Sequence, residues 1–591
     1  MLGERSDQRG LWEADRLYVD HVGRESFYGL LGSMRGELFR DEEFAELYCP
    51  DNGRGSVPPS LLATTLLLQT YDRVSDGEAK QRADFDIRWK VALGIEVEDR
   101  PFAKSTLQLF RARLVLHDKV REIFQRSLEV ARQSGYLKGR RMKVALDTTN
   151  ILGRGAVKDT YNLLADGIVQ LVRALAKVDS SKAKEWAGRE GFEGYFGSSV
   201  KGEAAIDWDN EKERQAFLQK IVADADRLLE LARRAQERLA VDSRERDRII
   251  EAAELLGQLL MQDVERQEEG PTLKEGVSPN RIPSVHDPEM RHGRKSSSHR
   301  FDGHKAAVVV DTDSQLVTAV DVLPGNAQDN VGALELVEQS EENTGVEVEE
   351  STGDAAYGDG ATRQVFADAG RTLVAKVPGR PNKAHFPKQD FKIDLEAGTC
   401  TCPAGNVTRT VRTVGSRTDR TGRAYPIRGF QFDAAVCGPC PLRSQCVAAG
   451  NGRGRTVGLH PQEALLQQAR ALQNSGDFVE YRKRRQVVEH RLARLVQLGV
   501  RQARYFGRTN TLFQLLMAAT VANLTLVATK GEMLGGACDN AVNSFAELGQ
   551  SIISAANSIV VRLRKARPRN PFTLSSAPKP LPWTRRFQPG F

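Results

Sequence analysis

Met142-Lys143-Val144-Ala145-Leu146-Asp147-Thr148-Thr149 changes the character of the chain. Met142, Val144 and Leu146 alternate with Lys143, Ala145 and Asp147, the period of two at which side chains leave a strand on opposite faces. The alternation predicts a β-strand that ends on an acid. Upstream, residues 1–140 read as helical: an apolar run opens at Ser60 after Pro58-Pro59, and helical stretches follow at 75–93, 105–116 and 120–134. Downstream, strand signals return at His304. Residues 305–311 and 315–323 flank Thr312-Asp313-Ser314 and predict a hairpin. A third strand over 346–352 runs into Gly353-Asp354, followed by a helix over 361–369 and a strand over 372–377. Strands interspersed with helices give an α/β class.

Between these blocks, residues 159–299 read as a helical insertion. Residues 211–269 hold no proline and only Gly257 as a breaker, which predicts one or two long amphipathic helices. Residues 379–460 are turn-rich, and 461–498 are helical again. The tail from Val561 has six prolines, eight basic residues and no acids, a composition that buries little. At 591 residues the chain is long enough for several domains. Its net charge of +7 is mild, so where the basic residues fall matters more than their total. The charged start MLGERSDQRG does not read as an export leader. The apolar stretch 511–529, with Gln514, Asn523 and several threonines, reads as a buried core helix rather than a membrane span.

Asp147 and Asp354 each close a predicted strand. Carboxylates in a cleft are natural ligands for a hard cation such as Mg²⁺, and two such ions can clamp the attacking and leaving oxygens of a phosphodiester. The third candidate is Glu489, the single acid among nine Lys or Arg residues from 481 to 510. It reads either as a metal ligand on a phosphate-gripping helix or as an i,i+4 partner of Arg485.

Five of the seven cysteines lie between Cys400 and Cys446. Cys437-Gly-Pro-Cys440, Cys446 and the upstream Cys402 have the makings of a closed structural Zn²⁺ site, with Cys400 as an alternative to Cys402. His286, His292, His299 and His304 lie among Arg and Lys and read as a basic, DNA-facing loop. Gly450-Asn451-Gly452-Arg453-Gly454-Arg455 lacks the strand–loop–helix frame of a phosphate loop, and neither H-E-x-x-H nor G-x-S-x-G occurs.

Taken in order, several blocks resemble bacterial insertion-sequence transposases of the DDE class. They are Phe44-Ala45-Glu46-Leu47-Tyr48, Ser56-Val57-Pro58-Pro59, Ser75-Asp76-Gly77-Glu78-Ala79, and Ser105-Thr106-Leu107 with Phe110-Arg111-Ala112-Arg113-Leu114. Next come Leu146-Asp147-Thr148-Thr149, Gly303-His304-Lys305, Pro324-Gly325-Asn326 with Asp329, and Gly353-Asp354-Ala355-Ala356-Tyr357. Arg485-Gln486-Val487-Val488-Glu489-His490 and Asn523-Leu524 complete the set. On the last catalytic helix many relatives have Tyr-x-x-Arg-x-x-x-Glu-x-x-x-x-x-x-Lys. Here Tyr481 stands one residue too far from Arg485, and Val496 occupies the lysine position.

The resemblance implies an RNase H-like mixed-sheet catalytic core built from 141–158, 300–378 and 461–530. It also implies an all-α N-terminal DNA-binding domain over 1–140, the long helical insertion over 159–299, a small Cys-rich zinc-binding insert over 379–460, and a C-terminal helix and basic tail over 531–591. Asp147, Asp354 and Glu489 would hold two Mg²⁺ or Mn²⁺ ions. Arg482, Lys483, Arg485, Arg491 and Arg494 would contact DNA phosphates, and Cys402, Cys437, Cys440 and Cys446 would hold zinc. The implied activity is cleavage of double-stranded DNA at the terminal inverted repeats and strand transfer into target DNA, by a homodimer in the cytoplasm beside the nucleoid, with no membrane partner. The competing expectations are a catalytically inactive core that only binds DNA, and a stand-alone nuclease.

Overall fold

The first strand outruns its alternation. In the computed structural model, which describes residues 1–529 apart from 6–9, 11, 297, 380–384, 419–423 and 448–451, β1 spans Arg141–Leu152. The strand does not stop at Asp147, because the β-branched residues Thr148, Thr149 and Ile151 continue it and stay paired across to the neighbouring strand as far as Gly303. Asp147 therefore sits in mid-strand. The other strands of this sheet are β2 (Arg291–Arg294), β3 (Arg300–Asp311), β4 (Val317–Pro324), β5 (Glu347–Gly353) and β6 (Leu373–Ala375).

β3 is antiparallel to β1, and both β4 and β2 pair antiparallel with β3; β5 and β6 lie parallel on the other side of β1, so the order is β4-β3-β1-β5-β6. Residues 291–294, expected inside the helical insertion, thus belong to the sheet, in line with β4 along β3. Gly303 has φ +151, and a Cβ there would collide with the Ile151 carbonyl, so β3 can cross β1 this closely only at glycine.

The helices divide into three groups. The N-terminal group includes α1 (Pro59–Asp72), α2 (Asp76–Phe85), α3 (Ile87–Leu93), α4 (Lys104–Leu116) and α5 (Val120–Gln133); the stretch expected as one helix over 75–93 breaks at Asp86, which caps α3 through Arg88 N–H. The insertion holds α6 (Thr160–Val178), α7 (Glu211–Arg238) and α8 (Arg244–Asp263), packed through Leu164, Ile168, Leu171, Leu228 and Leu256. It then turns into a short hairpin, Val264–Gln267 with Gly270–Leu273, where the expected helix has already ended.

Around the sheet lie α9 (Ala333–Thr344), α10 (Gly360–Asp368), α11 (Glu463–Gln473), α12 (Phe478–Gln497) and α13 (Arg508–Thr529). Met142, Val144 and Leu146 pack on one face with Val309, Val337 and Phe366. Alternation sends Asp147 to the opposite face, where α12 crosses β1 and its neighbours. After α12 the chain returns to β1: Leu152 N–H donates to Arg501 O at 2.9 Å, and Ala503 N–H to Leu152 O at 2.8 Å.

α13 is apolar enough to span a membrane by length and composition, yet most of it is buried against α5, β4 and α1. Its Asn523 is fully buried and binds β4 as a strand would, accepting from Val317 N–H at 2.9 Å and donating to Val317 O at 2.8 Å. Residues 391–459 carry two small three-stranded sheets around Phe391, Cys400, Phe430, Phe432 and Val457. The chain divides into residues 1–530 and 531–591. The second unit, with the expected C-terminal helix, basic tail and Cys538, lies outside the described residues.

Candidate active site

The parallel register brings the two aspartates together. Lys143, Val144 and Ala145 pair with Glu350, Ser351 and Thr352, an offset of 207 residues, and 207 also separates Asp147 from Asp354. Asp354 follows the last residue of β5, so it stands beside Asp147 where the two strands diverge. Its Oδ1 accepts the Ala356 N–H at 2.8 Å and caps the turn that seats Tyr357. Tyr357 is fully buried, and a Cβ on Gly353 would meet its ring.

α12 supplies the third acid. Arg485 Nη2 donates to Glu489 Oε1, while Arg485 Nη1 lies 3.6 Å from Asp147 Oδ2. The side chain of Glu489 is 50% exposed, on the rim, whereas that of Asp147 is 19% exposed. Asp147 Oδ1 accepts the Thr148 N–H at 2.7 Å. Burial pushes the Asp147 carboxyl up to about 6; the charges of Asp354 and Glu489 add to that, and Thr148 N–H and Arg485 oppose it. The Tyr357 hydroxyl is pushed well above its ordinary value by burial and by the nearby charges of Asp147, Asp329 and Asp354. Several acids therefore crowd one end of the sheet.

The expected DNA-contacting residues separate. Arg482 and Lys483 are exposed, Arg485 faces the acids, and Arg494 is half-buried with Nη1 3.5 Å from Gln497 Oε1. Arg491 is corrected: it lies on the buried stripe of α12 with Val488, Leu492 and Leu495, and donates to Ala522 O of α13 at 2.9 Å. Spacing at i, i+3 and i+4 assigns it to helix packing. The histidines do not form one loop either. His292 lies in β2 beside Asp302, and His304 is fully buried in β3 with Nε2 3.4 Å from Asp287.

Composition and spacing missed two pairs near the acids. Lys305 Nζ donates to Asp329 Oδ1 and to Ala327 O, both at 2.7 Å. Arg501 Nη1 donates to Asn150 O at 2.9 Å on β1. The available signal was the position of Lys305 and Asp329 inside the ordered blocks; a charged pair assembled by tertiary packing has no period of its own.

Cys402, Cys437, Cys440 and Cys446 line one cavity together with Phe432 and Arg455. Burial raises the Cys446 thiol, with Cys437, Cys402 and Cys440 close enough to add to it. Cys400 lies in the hydrophobic core instead, its thiol pushed up to about 11 by burial. Among the described residues, no three His, Cys, Asp or Glu side chains close to metal-binding geometry.

Two segments of the chain match known families. Residues 20–113 match one described as Transposase domain (DUF772), covering α1 to α3 and most of α4. Residues 401–528 match one described as Transposase DDE domain, covering Cys402 to Cys446, α12 with Glu489, and nearly all of α13. No curated protein and no solved structure gives a significant match.

Proposed function

Taking the chain as the DDE-class insertion-sequence transposase that its two matched domains support, we propose that it cuts and rejoins double-stranded DNA at the ends of a mobile element. The observation that carries this reading is the approach of Asp147, Asp354 and Glu489 from two strands and a helix at one end of a mixed sheet. An antiparallel meander followed by two parallel strands supports an RNase H-like core.

The donor set fits a hard divalent cation: all three candidates are carboxylates, and the charges of Asp354 and Glu489 both bear on Asp147. Bound there, a pair of Mg²⁺ or Mn²⁺ ions would supply the positive charge that activates water and then the 3′-OH. Asp147 and Asp354 would hold the ions from the sheet, and Glu489, on the rim, would reach in from α12. Arg482, Lys483 and Arg494 present cations to the phosphates on either side, giving salt-dependent affinity without sequence information. Buried Tyr357 would fix the turn that aims Asp354 and keep water from beneath it.

The N-terminal helices would recognise the terminal inverted repeats, and bringing two ends together calls for a homodimer. The four cysteines around one cavity suit a structural Zn²⁺ ion that staples residues 379–460. The working place would be the cytoplasm, beside the nucleoid and without a membrane partner, in keeping with the burial of α13.

The test uses duplex DNA carrying the flanks of the chain's own gene, with Mg²⁺ or Mn²⁺. Asp147→Asn, Asp354→Asn and Glu489→Gln should each cut cleavage by at least about 10³-fold, with DNA binding in Ca²⁺ retained. Wild-type cleavage by any of the three removes that residue from the triad. Elemental analysis should find one zinc per chain, lost in Cys437→Ser; its absence from the wild type would sink the zinc reading.

A further inference from the structure

Arg485 stands between two of the three acids. A helix pair with Glu489 would need only the i,i+4 spacing; the approach of Nη1 to Asp147, 3.6 Å away on β1, is an additional tertiary contact. One guanidinium thus links carboxylates from a strand and a helix, as a bridging divalent ion would, with half the charge. The other cations nearby on α12 are placed differently. Arg484 reaches Glu350 at 3.4 Å and Glu480 at 3.8 Å, Arg494 reaches Gln497, and Arg482 is exposed. A divalent ion bound by Asp147 Oδ2 and Glu489 Oε1 would stand at contact distance from the guanidinium, and repulsion between the two cations favours moving Arg485 away.

We propose that Arg485 is a built-in counter-cation that holds the acids in the metal-free chain, must be displaced for the metal to bind, and thereby couples metal binding to DNA binding. The proposal rests on the reading of Asp147, Asp354 and Glu489 as metal ligands. Without DNA, a divalent ion has to displace Arg485 from both partners and leave its charge beside the ion. With DNA, a phosphate offers the displaced guanidinium a bidentate partner. Metal and DNA then bind cooperatively, and the coupling is the same whichever arrives first. The ligands would fill with metal chiefly when a phosphodiester is in place to be cut. The positioning role belongs to Arg485 alone on this helix, because it is the one whose side chain lies against both acids.

The experiment is a Mn²⁺ titration of the full chain, followed by Mn²⁺ paramagnetic resonance, with and without a non-specific duplex. In the wild type, DNA should tighten Mn²⁺ binding about tenfold. Arg485→Gln should bind Mn²⁺ about tenfold more tightly than wild type without DNA, and gain little more when DNA is added. Arg484→Gln removes a charge of the same sign from the same helix, one paired with Glu350 and Glu480 instead of the two candidate ligands, and should stay within about twofold of wild type. Arg485→Lys, whose compact ammonium cannot span both acids, should fall between wild type and Arg485→Gln.

Equal Mn²⁺ affinity in wild type and Arg485→Gln overturns the proposal, as does an equal gain in Arg484→Gln, which would reduce the effect to general charge. Asp354→Asn separates this failure from failure of the metal-ligand reading. If it binds Mn²⁺ as well as wild type does, or if wild type binds none, the ligand assignment falls and the counter-cation role falls with it.

Discussion

Asp76 and Asp147 are both largely buried acids that face an arginine, and their surroundings drive them opposite ways. Asp76 meets Arg111 at 2.6 and 3.2 Å, Gln69 at 2.8 Å and Gln108 at 3.0 Å, so both its oxygens are taken. Burial alone would raise its proton affinity, yet Arg111 and the two amides hold it well below the usual carboxylate range. Asp147 has one backbone N–H, an arginine at 3.6 Å that it shares with Glu489, and the nearby charges of Asp354 and Glu489. Its carboxyl is pushed up to about 6. The first acid is satisfied by its own chain and ties α2 to α1 and α4. The second is raised first by burial and then by its acidic neighbours, with one backbone N–H and a shared guanidinium against them, and an acid so perturbed in a cleft is a functional candidate.

The largest expected difference is in folding stability. Arg111→Gln leaves Asp76 and Gln69 without their shared partner and should lower stability by about 2–4 kcal/mol at neutral pH. Arg485→Gln, at a half-open cleft, should change it by less than about 1 kcal/mol. Urea unfolding of the two variants measures both; equal losses would break the contrast. Asp76 is favoured when ionised, so its contribution is present above the unfolded carboxylate value of 3.8 and fades as acid protonates it. The Arg111→Gln deficit should therefore shrink in strong acid.

Asp147 gives the opposite sign. Its proton affinity is higher in the folded chain, about 6 against 3.8, so the stability it contributes is fully present below about pH 4 and lost as pH rises through about 6. Asp147→Asn should therefore stabilise the metal-free chain at pH 7.5, by on the order of 1–3 kcal/mol after loss of the Arg485 contact. At pH 4 the two proteins should melt together. A destabilised variant at pH 7.5 would mean that Arg485 satisfies Asp147 as fully as Arg111 satisfies Asp76.

The contrast also marks what the sequence could disclose. The strand alternation at Met142, Val144 and Leu146 was legible because a buried face imposes its period on neighbouring residues. The pairing of Asp147 with Asp354 was legible only as order along the chain; the equal offset of 207 that sets them side by side is a property of the parallel register. Alternation ends β1 too early because an acid reads as a terminus, whereas the cleft face of a strand can carry one in its middle, as Asp147 does. The role of Arg111 was hidden for a related reason. An arginine in a basic helix looks alike whether it faces DNA or a buried acid, and the partner Asp76 lies 35 residues away. Asn523 was visible as part of a motif, but its work, closing the edge of β4 with a side-chain amide, needs both partners in view.

Arg491 is a third arginine against which the other two can be measured, and its expected effect on DNA is the smallest. It is fully on the packing side of α12, its one described hydrogen bond goes to Ala522 O, and burial lowers its proton affinity below the usual guanidinium range. Arg491→Met keeps the length and apolar stem while removing a charge that is expensive to bury. Loss of the bond to Ala522 O and relief of that burial act in opposite directions, so stability should move by no more than about 1 kcal/mol. DNA affinity should stay within about twofold, and the slope of log affinity against log salt should not change. Arg482→Gln, from the exposed side of the same helix, should reduce that slope by about 0.9, the value for one phosphate contact. Fluorescence anisotropy over a range of salt separates the two variants. If Arg491→Met also loses a full phosphate contact, α12 must rotate on DNA to bring its buried stripe outward, and the face that meets Asp147 in the free chain would not be the one that meets it on DNA.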